Sequence, residues 1–198
     1  MKISFCVSTG AELRNFDLSS VEGIGPIYSH DVMHESTTVD NLVVTNRDHL
    51  HAIMHSGYLT NYYTTGDIAA ALPQSPHIHE LSPLPQRGKR QQDMPHNWCP
   101  AALAVLLAAQ QSSTIIFLLG YEQSGVDLQL AKLLGDTAST AANSSYLNYQ
   151  LARVFEWFPG TQFILIQPSS CTVLPSWANY ANLTTDDYAS LQQFVIDF

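Results

Sequence analysis

The residues of this 198-residue chain best placed to do chemistry follow its most buried-looking stretch. Thr114–Leu119 is uncharged, rich in β-branched and aromatic types, and closed by Gly120, which predicts a central strand covered on both faces. Tyr121, Glu122, Gln123 and Ser124 then sit at the carboxyl end of that strand, the edge where open α/β sheets bind ligands. Glu122 can hydrogen-bond a ribose hydroxyl or serve as a base there, and it can equally be a partly solvated carboxylate. His96, beside Asn97 and Trp98, is a candidate proton donor or a structural imidazole. The third group is Ser8-Thr9-Gly10, where a strand meets a helix-compatible segment. A glycine at such a turn lets backbone N–H groups approach an anion at a helix N-terminus.

Other constellations are weaker or missing. His77 and His79 share one face of a short alternating stretch and could hold a metal, but no third ligand stands at a suitable spacing, so no metal is expected. No G-x-S-x-G, H-E-x-x-H or Walker A pattern occurs, which removes common α/β hydrolases, zincin proteases and P-loop enzymes. Tyr146 and Tyr149, with Asn143 and Asn148, suit either a sugar or base pocket or helix packing.

These groups need elements to position them. Lys2–Val7 reads as the first strand, followed by a second over Gly23–Tyr28 and a third over Asp40–Asn46. Arg47–His55 can form a helix with Leu50, Ile53 and Met54 on one face. A strand at Asn61–Thr64 and a short helix over Gly66–Leu72, stopped by Pro73, come next. Residues 73–100 hold six prolines and little apolar periodicity, and they form the candidate arm or lid. Pro100–Gln110 predicts a helix that is apolar nearly all round, and Asn97 or Cys99 can cap it. Gln129–Leu134 can be helical, Leu147–Phe158 is amphipathic with Leu151, Val154, Phe155 and Phe158 inward, and Thr161–Gln167 is the last expected core strand. Thr184-Thr185-Asp186-Asp187 is expected to cap a final helix over Tyr188–Val195. Strands alternating with helices imply a single-domain α/β fold, Rossmann-like, with a mostly parallel central sheet and flanking helices.

Composition narrows the partners. The formal net charge is −9 and charged residues make up 13% of the chain, against roughly a quarter in ordinary soluble domains. An acidic chain lacks the cations that neutralise phosphates, so nucleic acid is not an expected partner. The one basic cluster, Arg87-Gly88-Lys89-Arg90, reads as a loop tip. Cys6, Cys99 and Cys171 are too few and scattered for a disulfide framework. The longest apolar run, Ala101–Ala109, is too short for a membrane span of about 20 residues. A soluble protein of the cytoplasm is the expectation, unless it is carried in a particle.

The order of these elements resembles a phage-borne group of short Rossmann-like glycosyltransferases, related in pattern to sialyltransferase-like and flagellin-glycosylation domains. In that pattern a first strand ends in Gly-x-Gly-Pro-Ser and a Phe-Asp-Leu segment follows. A third strand runs to an Asp, a later strand reads Ile-x-Leu-x-Gly-Phe-Asp, and an amphipathic helix ending in Phe-Pro precedes a last strand. The matching positions here are Ser8-Thr9-Gly10 with Phe16-Asp17-Leu18, then Asp40–Asn46, Ile116–Glu122, Phe155–Pro159 and Phe163–Ile166. Gly10 alone remains of the first turn's glycines, Asn46 stands where the pattern has Asp, and Glu122 replaces Asp after Gly120-Tyr121.

The resemblance implies a nucleotide or nucleotide-sugar bound across the strand ends, a nucleotide-sugar being the possible substrate, with no separate cofactor. Glu122 and His96 would be catalytic, and Ser8, Thr9, Gly10, Asn46, Gly120 and Tyr121 would line the binding site. The alternative is a chain that kept the fold and lost the chemistry, acting through contacts with phage structural proteins or a second copy of itself. Its location would then be the virion rather than the host cytoplasm.

Overall fold

The computed structural model describes residues 2–10, 13, 16–31, 33, 37–85, 97–121 and 137–198, the last segment with side chains from 146 onward. Its strands are β1 (Ile3–Val7), β2 (Ile27–His30), β3 (Asn41–Val43), β4 (Asn61–Thr64), β5 (Ile78–Glu80), β6 (Ile115–Leu119), β7 (Gln162–Ile166) and β8 (Leu183–Asp186). Its α-helices are α1 (Arg47–His55), α2 (Gly66–Ala71), α3 (Pro100–Gln110), α4 (Thr137–Trp157) and α5 (Tyr188–Asp197).

The eight strands among the described residues join one sheet in the order β5-β4-β3-β2-β1-β6-β7-β8, and every neighbouring pair is parallel. The fold is a single Rossmann-like α/β sheet, with helices on both faces. The chain winds outward from β1 to β5 in one direction, then returns to lay β6 on the other side of β1. The pair β1–β6 is therefore the topological switch point, where the loops leaving the strands diverge and open a crevice.

The period-2 geometry of strands divides the core into two layers. Cys6, Tyr28, Ile116, Leu118, Phe163 and Leu165 face α3 and α4. Phe5, Val7, Leu42, Phe117, Leu119 and Leu191 pack in the opposite layer with Leu50 and Ile53 of α1 and Ile68 of α2. Residues 101–109 of α3 are all buried, as its uniformly apolar sequence requires. Pro100 starts that helix, and Cys99 is its N-cap by backbone position, its side chain making no capping hydrogen bond.

Boundaries differ from expectation in instructive places. β2 starts at Ile27 rather than Gly23, because residues 22–25 form a turn in which Gly23 takes φ +82°. Thr184, Thr185 and Asp186 are not helix caps but strand β8, an edge strand with one paired side and an exposed surface, so its sequence shows no apolar alternation. Asp187 alone caps α5, accepting from Ser190 N at 2.8 Å. α4 spans Thr137–Trp157 rather than Leu147–Phe158; its first turns are small and polar residues that carry no apolar periodicity to announce them. The expected helix over Gln129–Leu134 and the basic tip at Arg87–Arg90 lie outside the described residues. The Pro-rich stretch contributes β5, an edge strand of the sheet, whose His79 stacks on Tyr63 with ring centroids 5.0 Å apart. Among the described residues, no helix is long and apolar enough to cross a membrane, and no group of three or more His, Cys, Asp or Glu side chains could hold a metal ion.

Candidate functional site at the switch point

The carboxyl ends of β1 and β6 are fastened together just beyond their last paired residues. Ser8 N donates to Leu119 O at 2.9 Å, and Gly10 N donates to Gly120 O at 3.0 Å. Gly120 has φ +74°, and a Cβ there would lie 2.5 Å from Ser8 O. Only glycine fits both the left-handed backbone and the close approach, so Gly120 is what lets the two loops run side by side at the crevice. Gly120 N also reaches the Tyr188 hydroxyl at 3.3 Å, which ties the start of α5 to the same point.

A chain of polar side chains runs across the neighbouring strand ends. Ser8 Oγ lies 3.1 Å from His30 Nε2, His30 Nδ1 lies 3.6 Å from Asp31 Oδ1, and Asp31 Oδ2 lies 3.1 Å from His49 Nδ1. Ser8 and His30 are each only 6% exposed. Burial by itself would raise the Asp31 carboxyl, but hydrogen bonds and charge from His30 and then His49 outweigh it and hold the group below its ordinary value. The β2 end is located by Ser29, whose hydroxyl donates to Val7 O at 2.7 Å.

Asn46 joins this arrangement through a helix. Its side chain accepts from Asp48 N and His49 N at 2.9 and 3.1 Å, so it is the N-cap of α1. That cap starts α1 at the β3 end and carries His49 to Asp31.

A cavity of about 510 Å³ opens at the same edge, lined by Thr9, Gly10, Phe16, Asp17, Glu22 and Met33 among others. Asp17 accepts from Ser19 N at 3.0 Å and so caps the short 3-10 turn Leu18–Val21 that forms one wall. Phe16 packs on Tyr188, with centroids 5.5 Å apart. A second cavity of about 540 Å³ lies beside α2 and β5, lined by Pro73, Gln74 and Ile78, at the far edge of the sheet from the switch point.

Of the residues expected at the site, Ser8, Thr9, Gly10 and Gly120 come together at the β1–β6 edge. Tyr121 follows directly, but its ring is buried in the layer under α3 and its hydroxyl donates to Ala101 O at 2.9 Å. Burial holds that hydroxyl well above its ordinary pKa, so it stays a proton donor to the helix. Asn46 lies at the same end of the sheet, its amide engaged by α1. Glu122 and His96 lie outside the described residues. His30, Asp31 and His49 were not anticipated. The signal was present in the dipeptide His30-Asp31, but the expected second strand ended at Tyr28 and left both residues off the carboxyl edge.

No family model matches this chain, and neither the curated proteins nor the solved structures contain a match to it.

Proposed function

We propose that the chain binds a nucleotide-sugar at the carboxyl ends of β1 and β6 and is a divergent glycosyltransferase-like protein. The observation that carries this reading is the cavity of about 510 Å³ bordered by Thr9 and Gly10 at the switch point of a wholly parallel sheet. Its volume lies within the range of small-molecule sites, roughly 300–1,000 Å³, and its position is the one where such sheets take ligands. Phe16 offers a ring face, and Asp17 and Glu22 can accept hydrogen bonds from sugar or ribose hydroxyls. Among the described lining residues none is Lys or Arg.

Titration calorimetry with a panel of nucleotides and nucleotide-sugars tests this directly. At least one nucleotide-sugar should bind, and Gly10→Val, which fills the turn, should weaken it about 10-fold or more while leaving the fold intact, a loss equivalent to about 1.4 kcal/mol. Absence of binding across the panel removes the proposal.

A second reading is favoured by how Asn46 and Tyr121 are used. Both are engaged in capping and packing rather than directed at the cavity. A fold kept for contacts with other proteins would use exposed apolar side chains such as Leu59, Ile196 and Phe198. In that case the chain would be an accessory component of a phage particle or a self-associating protein, detectable in purified virions by mass spectrometry or as a concentration-dependent mass in solution.

A further inference from the structure

The polar chain at the β1 and β2 ends has the connectivity of an activated serine. A hydroxyl is a weak nucleophile unless a base takes its proton, and the base works best when a carboxylate behind it orients the ring and stabilises the imidazolium. Here the order is Ser8 Oγ to His30 Nε2 at 3.1 Å, then His30 Nδ1 to Asp31 Oδ1 at 3.6 Å. A purely structural role for the Ser8–His30 contact would be to hold β1 against β2. That task is already done by Ser29 Oγ, which donates to Val7 O, and by the β1–β2 pairing itself. Nor does strand cohesion call for a carboxylate on the far side of the imidazole, let alone one gripped from both sides. Asp31 is fixed on its other oxygen by His49, which is carried by a helix capped at Asn46. At 3.6 Å this contact is longer than a hydrogen bond, as catalytic contacts often are before a ligand is bound.

From this geometry we infer that Ser8 is a nucleophile, His30 its general base and Asp31 the positioning residue, acting on esters of hydroxylated compounds. Thr9 and Gly10, which follow Ser8 directly, border the cavity where such a compound would sit. In the first step Ser8 Oγ bonds to the ester carbonyl carbon while His30 Nε2 takes the hydroxyl proton. The adduct collapses with rupture of the bond to the alcohol oxygen, and the alcohol leaves with the proton returned by His30. Water, deprotonated by His30, then attacks the acyl-Ser8 ester, releasing a carboxylic acid and regenerating Ser8. No oxidant, metal or cofactor enters the balance. The sequence gives no hint of this chemistry because Ser8 follows β1 in Val7-Ser8-Thr9-Gly10 rather than in a G-x-S-x-G turn.

The test uses the full chain and a fluorophosphonate probe, whose phosphorus takes the place of the carbonyl carbon and whose fluoride is the leaving group. Peptide mass spectrometry should find the phosphonyl group on Ser8. His30→Gln should slow labelling about 100-fold or more, the scale of a lost general base, and Asp31→Asn should slow it about 10-fold or more by leaving the imidazole misoriented. Ser8→Ala, which removes one oxygen from a small side chain, should abolish the adduct at this position and lower hydrolysis of p-nitrophenyl acetate to the background rate. Should His30→Gln fail to fold, the wild-type adduct and Ser8→Ala still decide the matter. An unlabelled Ser8 under conditions that label a control serine hydrolase, or labelling at the wild-type rate in folded His30→Gln, overturns the inference. The probe carries neither nucleotide nor sugar, so its result is independent of whether a nucleotide-sugar binds.

Discussion

Asp31 shows how single residues here carry more than one load. Burial would raise its pKa, yet His30 and His49 hold it low, so the folded chain binds that proton less tightly than the unfolded chain does. The sign follows from linkage: the contribution to stability is fully present above the ordinary aspartate pKa and is lost as pH falls through it toward the lower folded value. Urea denaturation between about pH 3 and pH 7 should therefore show stability falling on the acid side, and Asp31→Asn should flatten that slope. Asp187 shifts the same way, through hydrogen bonds from the Ser190 backbone and the Ser169 hydroxyl, so part of the slope should survive in the variant. An Asp31→Asn slope identical to wild type would show that the two imidazoles do not favour the carboxylate. Gly120 gives a second residue-level outcome. Gly120→Ala places a Cβ against Ser8 O in a left-handed backbone and should cost more than about 1 kcal/mol in chemical denaturation. Gly120 could be singled out from sequence because glycine after an apolar run marks a strand end. The dipeptide His30-Asp31 is visible in the sequence, but its link to Ser8 on one side and to His49, eighteen positions from Asp31, on the other exists only in the fold.

At the scale of elements, what could be read from sequence was whatever declares itself locally. β4 and α1 match their expected spans because Asn61–Thr64 and Arg47–His55 each carry their own pattern. α3 matches because nine consecutive buried residues leave no polar face to mislead. β8 escaped because Leu183-Thr184-Thr185-Asp186 is an exposed edge whose identity comes from its partner β7. The N-terminal half of α4 escaped because Thr, Ser and Asn turns have no strong intrinsic helix preference. Asn46 illustrates an element-level role. The resemblance places it among the residues of the binding site, and in the fold its amide oxygen accepts from two first-turn N–H groups of α1. Asn46→Ala should cost about 1 kcal/mol and loosen His49 at Asp31, whereas Asn46→Asp should retain the cap and match or slightly exceed wild-type stability. Thermal melts of the two variants distinguish capping from a purely ligand-directed role, since a ligand-directed Asn46 would leave the melting temperature of the ligand-free chain unchanged in both.

For the molecule as a whole, parallel pairing could be expected from alternating strands and helices, but strand order could not. Whether the chain turns back at β6 depends on which helix faces cover which side of the sheet, and that information is spread over the full length. The outcome is a sheet shared by two hydrophobic layers, with β6 contributing Leu118 to one and Leu119 to the other. Both side chains are fully buried, so truncating either should remove apolar contact and leave a cavity, at a cost of about 2–5 kcal/mol. Because the two layers are joined through the same central strand, they should not melt separately. Leu118→Ala and Leu119→Ala should each shift one two-state transition, with circular dichroism and tryptophan fluorescence reporting the same midpoint. Fluorescence is informative because Trp98 and Trp177 lie in the layer with Leu118. If Leu119→Ala lowered the circular dichroism midpoint and left the fluorescence midpoint in place, the layers would be separate folding units, and the crevice at β1–β6 would sit on a hinge rather than on one rigid sheet.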